Sequence, residues 1–193
     1  MLAVSATGTY TSETFQLMTD AIDSLLQKYD SSNIRYGLIV YGDDASIVVH
    51  LRNATYADQV RGVLKTIEQP SGASSLDKAL EVAADMFTDA GDRQGADRVL
   101  VVLTDKSSGL DEDVVAGSVM LLEQMAVKII PVAVGDEVNL VEFVIVTNKG
   151  NIIESEKDKD PEELSEEIME RVISKCTLNV SVKGFFDIVL TSN

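Results

Sequence analysis

Apolar runs of β type alternate with amphipathic helical runs along most of the chain, the pattern of a parallel sheet covered by helices on both faces. Leu2 to Ser5 reads as a short strand. A helix follows, with Thr11 or Ser12 as N-cap and Glu13 in its first turn. Its apolar residues Phe15, Met18, Ile22, Leu25, Leu26 and Tyr29 recur at three- and four-residue spacing and make one buried face. Ile34 to Tyr41 is the second strand, Gly42-Asp43-Asp44 a turn, and Ile47 to Leu51 a returning third strand. So short a connection makes a hairpin, hence an antiparallel pair. Helices are predicted from Tyr56 to Ile67 and onward from Leu76, separated by the Pro-, Gly- and Ser-containing loop Gln69 to Ser75. Arg98 to Thr104 and Val127 to Val134 are almost wholly apolar, as strands buried on both faces must be. The helices Asp111 to Met125 and Leu140 to Thr147 flank the second of these. Asn151 to Glu154 is a sixth strand, and Pro161, capped by Asp160, opens a last helix to about Ser174. The expected fold is α/β and doubly wound: a mostly parallel six-stranded sheet with one antiparallel edge strand and helices on both faces. Residues 1–175 form the domain and residues 176–193 a tail.

Bulk properties narrow the function. The chain's 193 residues suffice for one domain with a sizeable core. A net charge of −16 repels phosphate backbones, so nucleic acid is not an expected partner. The acidity is densest from Glu154 to Glu170, which reads as a solvated helix face and its approach loop. No run of eighteen apolar residues is present, so no membrane span is expected. No signal peptide opens the chain, and the sequence starts partway into a strand, as an excised piece with an added Met1 would. His50 is the only histidine and Cys176 the only cysteine. A catalytic triad would have to be built on His50, which sits in an apolar run and reads as a strand-end side chain. Neither a phosphate-cradling glycine motif nor a Cys/His metal pattern occurs, and the chain is expected not to be an enzyme.

The candidate chemistry lies at the strand tips, where open α/β sheets bind ligands. Three loops there are rich in small oxygen-bearing residues: Ser5-Ala6-Thr7-Gly8-Thr9, Gly72-Ala73-Ser74-Ser75 and Thr104-Asp105-Lys106-Ser107. Hydroxyls with a carboxylate suit a hard cation such as Mg2+. As plain structure, the same residues would cap helices and satisfy loop backbone. Asp43-Asp44 reads as turn chemistry.

At these loops the chain resembles the von Willebrand factor type A domain, also called the inserted domain of integrins. Anchored on Glu13-Thr14-Phe15-Gln16-Leu17-Met18, the family's DxSxS positions fall on Ser5, Thr7 and Thr9. Anchored on Lys78-Ala79-Leu80, its Thr position falls on Ser74. The run Val99-Leu100-Val101-Val102-Leu103-Thr104-Asp105 matches the fourth-strand motif and places the family's Asp at Asp105. Ile129-Ile130-Pro131-Val132-Ala133-Val134-Gly135 resembles the fifth strand. The resemblance covers residues 2–174 and implies a metal-ion-dependent adhesion site. The departure is Ser5, which stands where the family has the first Asp. One motif carboxylate remains where the family has two, so Mg2+ binding is expected to be weak or absent.

The resemblance implies a protein- or matrix-binding adhesion module of a secreted multidomain protein, with an extracellular matrix or collagen-like ligand. The alternative is an intracellular A-domain scaffold in a larger complex. Asn53 and Asn179 head glycosylation sequons, and Cys176 is a candidate for a disulfide with another chain or domain, both in keeping with an extracellular setting. The tail holds an apolar run, Phe185 to Leu190. Family members often begin strand one with Asp, six positions before the motif Asp. By that spacing Asp187 leads to Asn193, Leu190 aligns with Leu2, and Asn193 with Ser5. The tail is therefore expected to be the start of a neighbouring A domain, with a strand added to this sheet in cis or by swapping, or a disordered tail, as the other readings of its conformation.

Overall fold

The computed structural model describes residues 2–5, 12–30, 33–53, 56–69, 72, 74–89, 96–105, 112–147, 152–175 and 186–192. Seven strands make one sheet: β1 (Leu2–Ser5), β2 (Ile34–Tyr41), β3 (Ala45–Val49), β4 (Asp97–Thr104), β5 (Val127–Val134), β6 (Ile153–Ser155) and β7 (Phe186–Ser192). Between them run α1 (Ser12–Lys28), α2 (Ala57–Leu64), α3 (Leu76–Asp89), α4 (Glu112–Gln124), α5 (Leu140–Thr147) and α6 (Pro161–Lys175). The strand order is β1-β2-β7-β4-β5-β6, with β3 beside β2 and β1 also paired to β4. All described pairings are parallel except β2 with β3.

The alternation of side chains along each strand divides the core in two. In β4, Val99, Val101 and Leu103 join Leu38 and Val40 of β2 and Ile130, Val132 and Val134 of β5 beneath α1, α2 and α6. Leu100 and Val102 face the other way, with Ile39, Tyr41 and Ile129, beneath α3, α4 and α5. A strand covered on both faces has no polar positions to offer, which is why β4 and β5 read as continuous apolar runs. Helix α1 buries Met18, Ile22, Leu25 and Leu26 almost completely, the stripe its spacing predicts. Gly37 leaves room for the second layer: a Cβ there would lie 2.7 Å from Met86 Sδ and 3.0 Å from Leu51 Cγ.

The sheet has seven strands, where the sequence led to six. The seventh is the tail segment Phe186–Ser192, which enters the sheet beside β2 and β4. A helix–strand count stops at α6, because no helix separates β7 from it in the sequence. Smaller differences have local causes. The third strand starts at Ala45, whose N–H bonds to Asp44 Oδ1 at 2.9 Å, so the hairpin turn is tighter than expected. It ends at Val49, because Leu51–Asn53 closes into a 3-10 turn held by Asn53 N–H to His50 O and by Arg52 N–H to His50 Nδ1. That turn buries Leu51, which a continued strand would have carried past the core.

Candidate functional site at the strand tips

Parallel strands carry all their carboxyl ends to one side of the sheet, and the candidate residues follow. Ser5 ends β1 and pairs with Tyr41, the last residue of β2. On its other side β1 is in register with β4, Val4 opposite Leu103, so Ser5 stands level with Thr104 and one step from Asp105. Ser74 precedes α3 on the loop that packs against the β2 tip. The structure thus brings Ser5, Ser74 and Asp105 to one rim. Thr7 and Thr9 lie outside the described residues.

The rim is built on buried polar groups. Ser74, Thr104 and Asp105 are 3%, 2% and 4% exposed. A carboxylate so deeply placed at a strand tip is uncommon, since aspartate is rarely buried without strong local interactions. The loop before α3 is tied to the β2–β3 turn. Ser75 N–H donates to Gly42 O at 3.0 Å, and Lys78 Nζ donates to Asp43 O at 2.5 Å. Lys78 Nζ also lies 3.7 Å from Asp44 Oδ1. Gly72 has φ +102°, and a Cβ there would fall 1.9 Å from Asp43 Oδ2. The Asp43 carboxylate therefore lies close against the Gly72 backbone.

Asp43 is the residue the sequence under-read. It does occupy a turn, as expected, but its carboxylate is also packed on the loop carrying Ser74. The adjacency of Asp43 to Gly72 could not be read from residues 29 positions apart. Gly72 itself was a visible signal, since loop glycines often mark such approaches.

The donors here fit a hard cation in kind and fall short in charge. Ser74 and Asp105 bring oxygen atoms, and Ser5, at the position where the resemblance expects an aspartate, brings no charge. Among the described residues, no three His, Cys, Asp or Glu side chains gather as a metal cluster. A cation at this rim would rest on Asp105 for charge, with hydroxyls as neutral donors.

The other singled-out residues lie elsewhere. Asn53 is exposed in the 3-10 turn. Asn179 and Cys176 lie outside the described residues. His50 sits just past β3 with its side chain 12% exposed, Nδ1 accepting from Arg52 N–H at 3.1 Å and Nε2 3.9 Å from Asp89 Oδ2. Burial, reinforced by Arg52 and opposed by Asp89, holds the imidazole pKa below its ordinary value. It is on the far side of the hairpin from the rim and serves the 3-10 turn. No helix among the described residues is long and apolar enough to cross a membrane.

With the rim defined, the relationships are clear. The von Willebrand factor type A domain description matches residues 1–176, and the chain belongs to that family. The human collagen alpha-6(VI) chain is 25% identical over 156 residues, which is 78% of this chain and 7% of that protein. The chain therefore spans only a small part of this curated relative. The mussel byssus proximal thread matrix protein 1 with a zinc-occupied adhesion motif superposes with a TM-score of 0.74 at 15% identity, over 89% of this chain and 44% of that one. The manganese-loaded TRAP protein of Plasmodium vivax gives 0.70 at 16% identity, over 89% and 71%. At such identities these two solved structures establish the shared fold.

Proposed function

We propose that this chain is a non-enzymatic adhesion module of a secreted multidomain protein, which binds a matrix or collagen-like partner through the strand-tip rim with weak or absent metal dependence. The observation that carries the reading is the rim itself: Ser74 and Asp105 buried at the ligand-binding end of an A-domain sheet, with Ser5 at the position of the family's first aspartate. Support for a matrix setting comes from the collagen VI relative and the thread matrix protein. Neighbouring A domains of the same protein are natural further partners, because the relative is far longer than this chain.

One carboxylate among hydroxyls gives a divalent ion little of the charge that offsets its dehydration. Contacts with a partner would then come from the protein surface around the rim, where Asp43 and Asp44 stand exposed. Such an acidic rim favours a ligand with basic side chains.

Two measurements test this. Immobilised triple-helical collagen should bind the chain saturably, with EDTA changing the affinity less than about twofold. Asp44→Arg should weaken binding at least about tenfold (about 1.4 kcal/mol), in a chain that circular dichroism shows to be folded and whose lower melting temperature, from loss of the Asp44 contacts with Ala45 N–H and Lys78, lies well above the assay temperature. Absence of saturable binding, or indifference to Asp44→Arg, would sink the rim as a collagen-binding face. Calorimetric titration with Mg2+ and Mn2+ tests the metal: micromolar binding abolished by Asp105→Ala would overturn the weak-site reading.

A further inference from the structure

α4 and α5 pack side by side against β5, and the sequence makes both unusual for surface helices. From Val114 to Leu122 α4 carries no charged residue, and α5, Leu-Val-Glu-Phe-Val-Ile-Val-Thr, carries one. A helix that is apolar nearly all round belongs inside a core. These two bury one side, through residues such as Val119 and Phe143, and leave apolar side chains on the other. Of the nine large apolar side chains exposed among the described residues, five are here. They are Val114, Met120 and Leu121 of α4 and Val141 and Val144 of α5, each 45–59% exposed.

Spacing turns these residues into a surface. Val114, Gly117 and Leu121 follow one line of α4, three and four residues apart, and Val141 and Val144 follow one line of α5. Nothing lies within 4 Å of where a Gly117 Cβ would be, so the α4 line dips between Val114 and Leu121. Half of five such side chains is on the order of 400 Å2 of apolar surface, comparable to the largest patch on a typical monomer, which is often functional.

The charge around this surface has one sign. Neither helix contains Lys or Arg. Asp113 and Glu123 are exposed at the two ends of the α4 line. α4 and α5 each lead from one parallel strand to the next, so they run the same way and their last turns lie together. There a recess of about 140 Å3 opens, lined by Glu123, Val146 and Thr147 and by the start of β5. Lys128, also at the recess, is engaged by Asp97 at 2.5 Å. Helix carboxyl ends carry partial negative charge that a basic residue in the last turn commonly offsets. Neither α4 nor α5 has one.

We propose that the α4–α5 face docks an amphipathic helix of a partner protein, with its apolar stripe over Gly117 and a lysine or arginine at the recess. The apolar line selects a helix face, whose anchors recur three, four and seven residues apart. The acidic rim and the two helix ends select the sign of the partner's charge. A second copy of this chain suits the face less well, because its net charge of −16 would set like charges against each other.

The test uses the intact chain and a fluorescent synthetic helix of about 14 leucines and lysines, with the leucines on one face. Binding should be saturable and should tighten as salt falls. A peptide of the same composition, scrambled so that no apolar face forms, should bind at least about tenfold more weakly. Met120→Gln/Leu121→Gln should weaken binding of the helical peptide by a similar factor, and so should Val141→Gln/Val144→Gln. Ile173→Gln, on α6, should leave it unchanged. Glu123→Gln should flatten the salt dependence. Circular dichroism checks that each variant is folded. If the α4 variant does not fold, the α5 variant carries the test. Equal binding of the scrambled peptide, or parental affinity in the folded variants of this face, overturns the docking site. A leucine–glutamate helix that binds as tightly overturns the assignment of charge. A mass that rises with concentration for the chain alone in sedimentation velocity, and no longer rises in the α4 or α5 variant, puts a second copy on this face and overturns the partner helix.

Discussion

Gly72→Ala is the sharpest probe of how the rim is built. Gly72 has φ +102°, a conformation that side chains with a Cβ rarely adopt, and the added methyl would meet Asp43 Oδ2 at 1.9 Å. Two penalties follow, and they can be separated. Holding an L-residue in such a region costs about 1–3 kcal/mol. Against this, alanine loses less chain entropy than glycine on folding, which returns about 0.4–1 kcal/mol. The clash is with an exposed side chain that can swing away, so its share is the lost packing of Asp43 on the loop. The net expectation is a loss of about 1–2 kcal/mol. For a domain of this size that is a drop of about 2–8 °C in melting temperature. Thermal and urea unfolding followed by circular dichroism would measure it. Asp43→Ala with Gly72→Ala removes the clash and leaves the backbone strain. It should therefore remain about 1 kcal/mol or more below Asp43→Ala alone. If Gly72→Ala is as stable as the parent, or if the double variant equals Asp43→Ala, the argument from φ is refuted.

Other outcomes can be stated briefly. Ala126 has φ +58° at the turn from α4 to β5, where its N–H donates to Glu123 O at 2.9 Å; Ala126→Gly should stabilise the fold by about 0.5–1 kcal/mol in urea unfolding. Gly37→Ala places a methyl against Met86 and Leu51 and should cost about 1–3 kcal/mol, with part regained in Gly37→Ala/Met86→Ala. The carboxyl of Asp23 is held below its ordinary pKa mainly by hydrogen bonds from Arg61, which join it at 2.8 and 3.0 Å. NMR titration should show that pKa rising in Arg61→Gln. The contribution of this pair is present above the ordinary carboxylate pKa and fades as pH falls through the lowered folded value. His50 works in the same direction at higher pH. Its folded pKa is lowered, so the unfolded chain takes up the proton first and stability declines as pH falls below about 6.5. His50→Gln should flatten unfolding free energy against pH in that window, measured as the difference from the parent.

Much of this protein was legible in its sequence, for a local reason. Period-two and 3.6-residue patterns record which side of each element is buried, and both faces of this sheet are covered. The apolar runs of β4 and β5 and the stripe of α1 therefore announced themselves, as did the antiparallel hairpin of β2 and β3. The strand-tip position of Ser5, Ser74 and Asp105 followed from the family motifs and the rule that parallel strands present their carboxyl ends together. What tertiary structure alone decided are contacts between residues far apart in sequence. The approach of Asp43 to Gly72 depends on a hairpin turn meeting a loop from another unit. The conversion of Leu51 from strand to 3-10 turn depends on its packing against α3 and β2. The place of β7 is the plainest case. The sequence showed a tail that resembles the start of a first strand, with Leu190 in frame with Leu2. Only the sheet could show that it pairs with the first half of β2 and the start of β4, because ladder pairing is satisfied by space and register, not by neighbours along the chain.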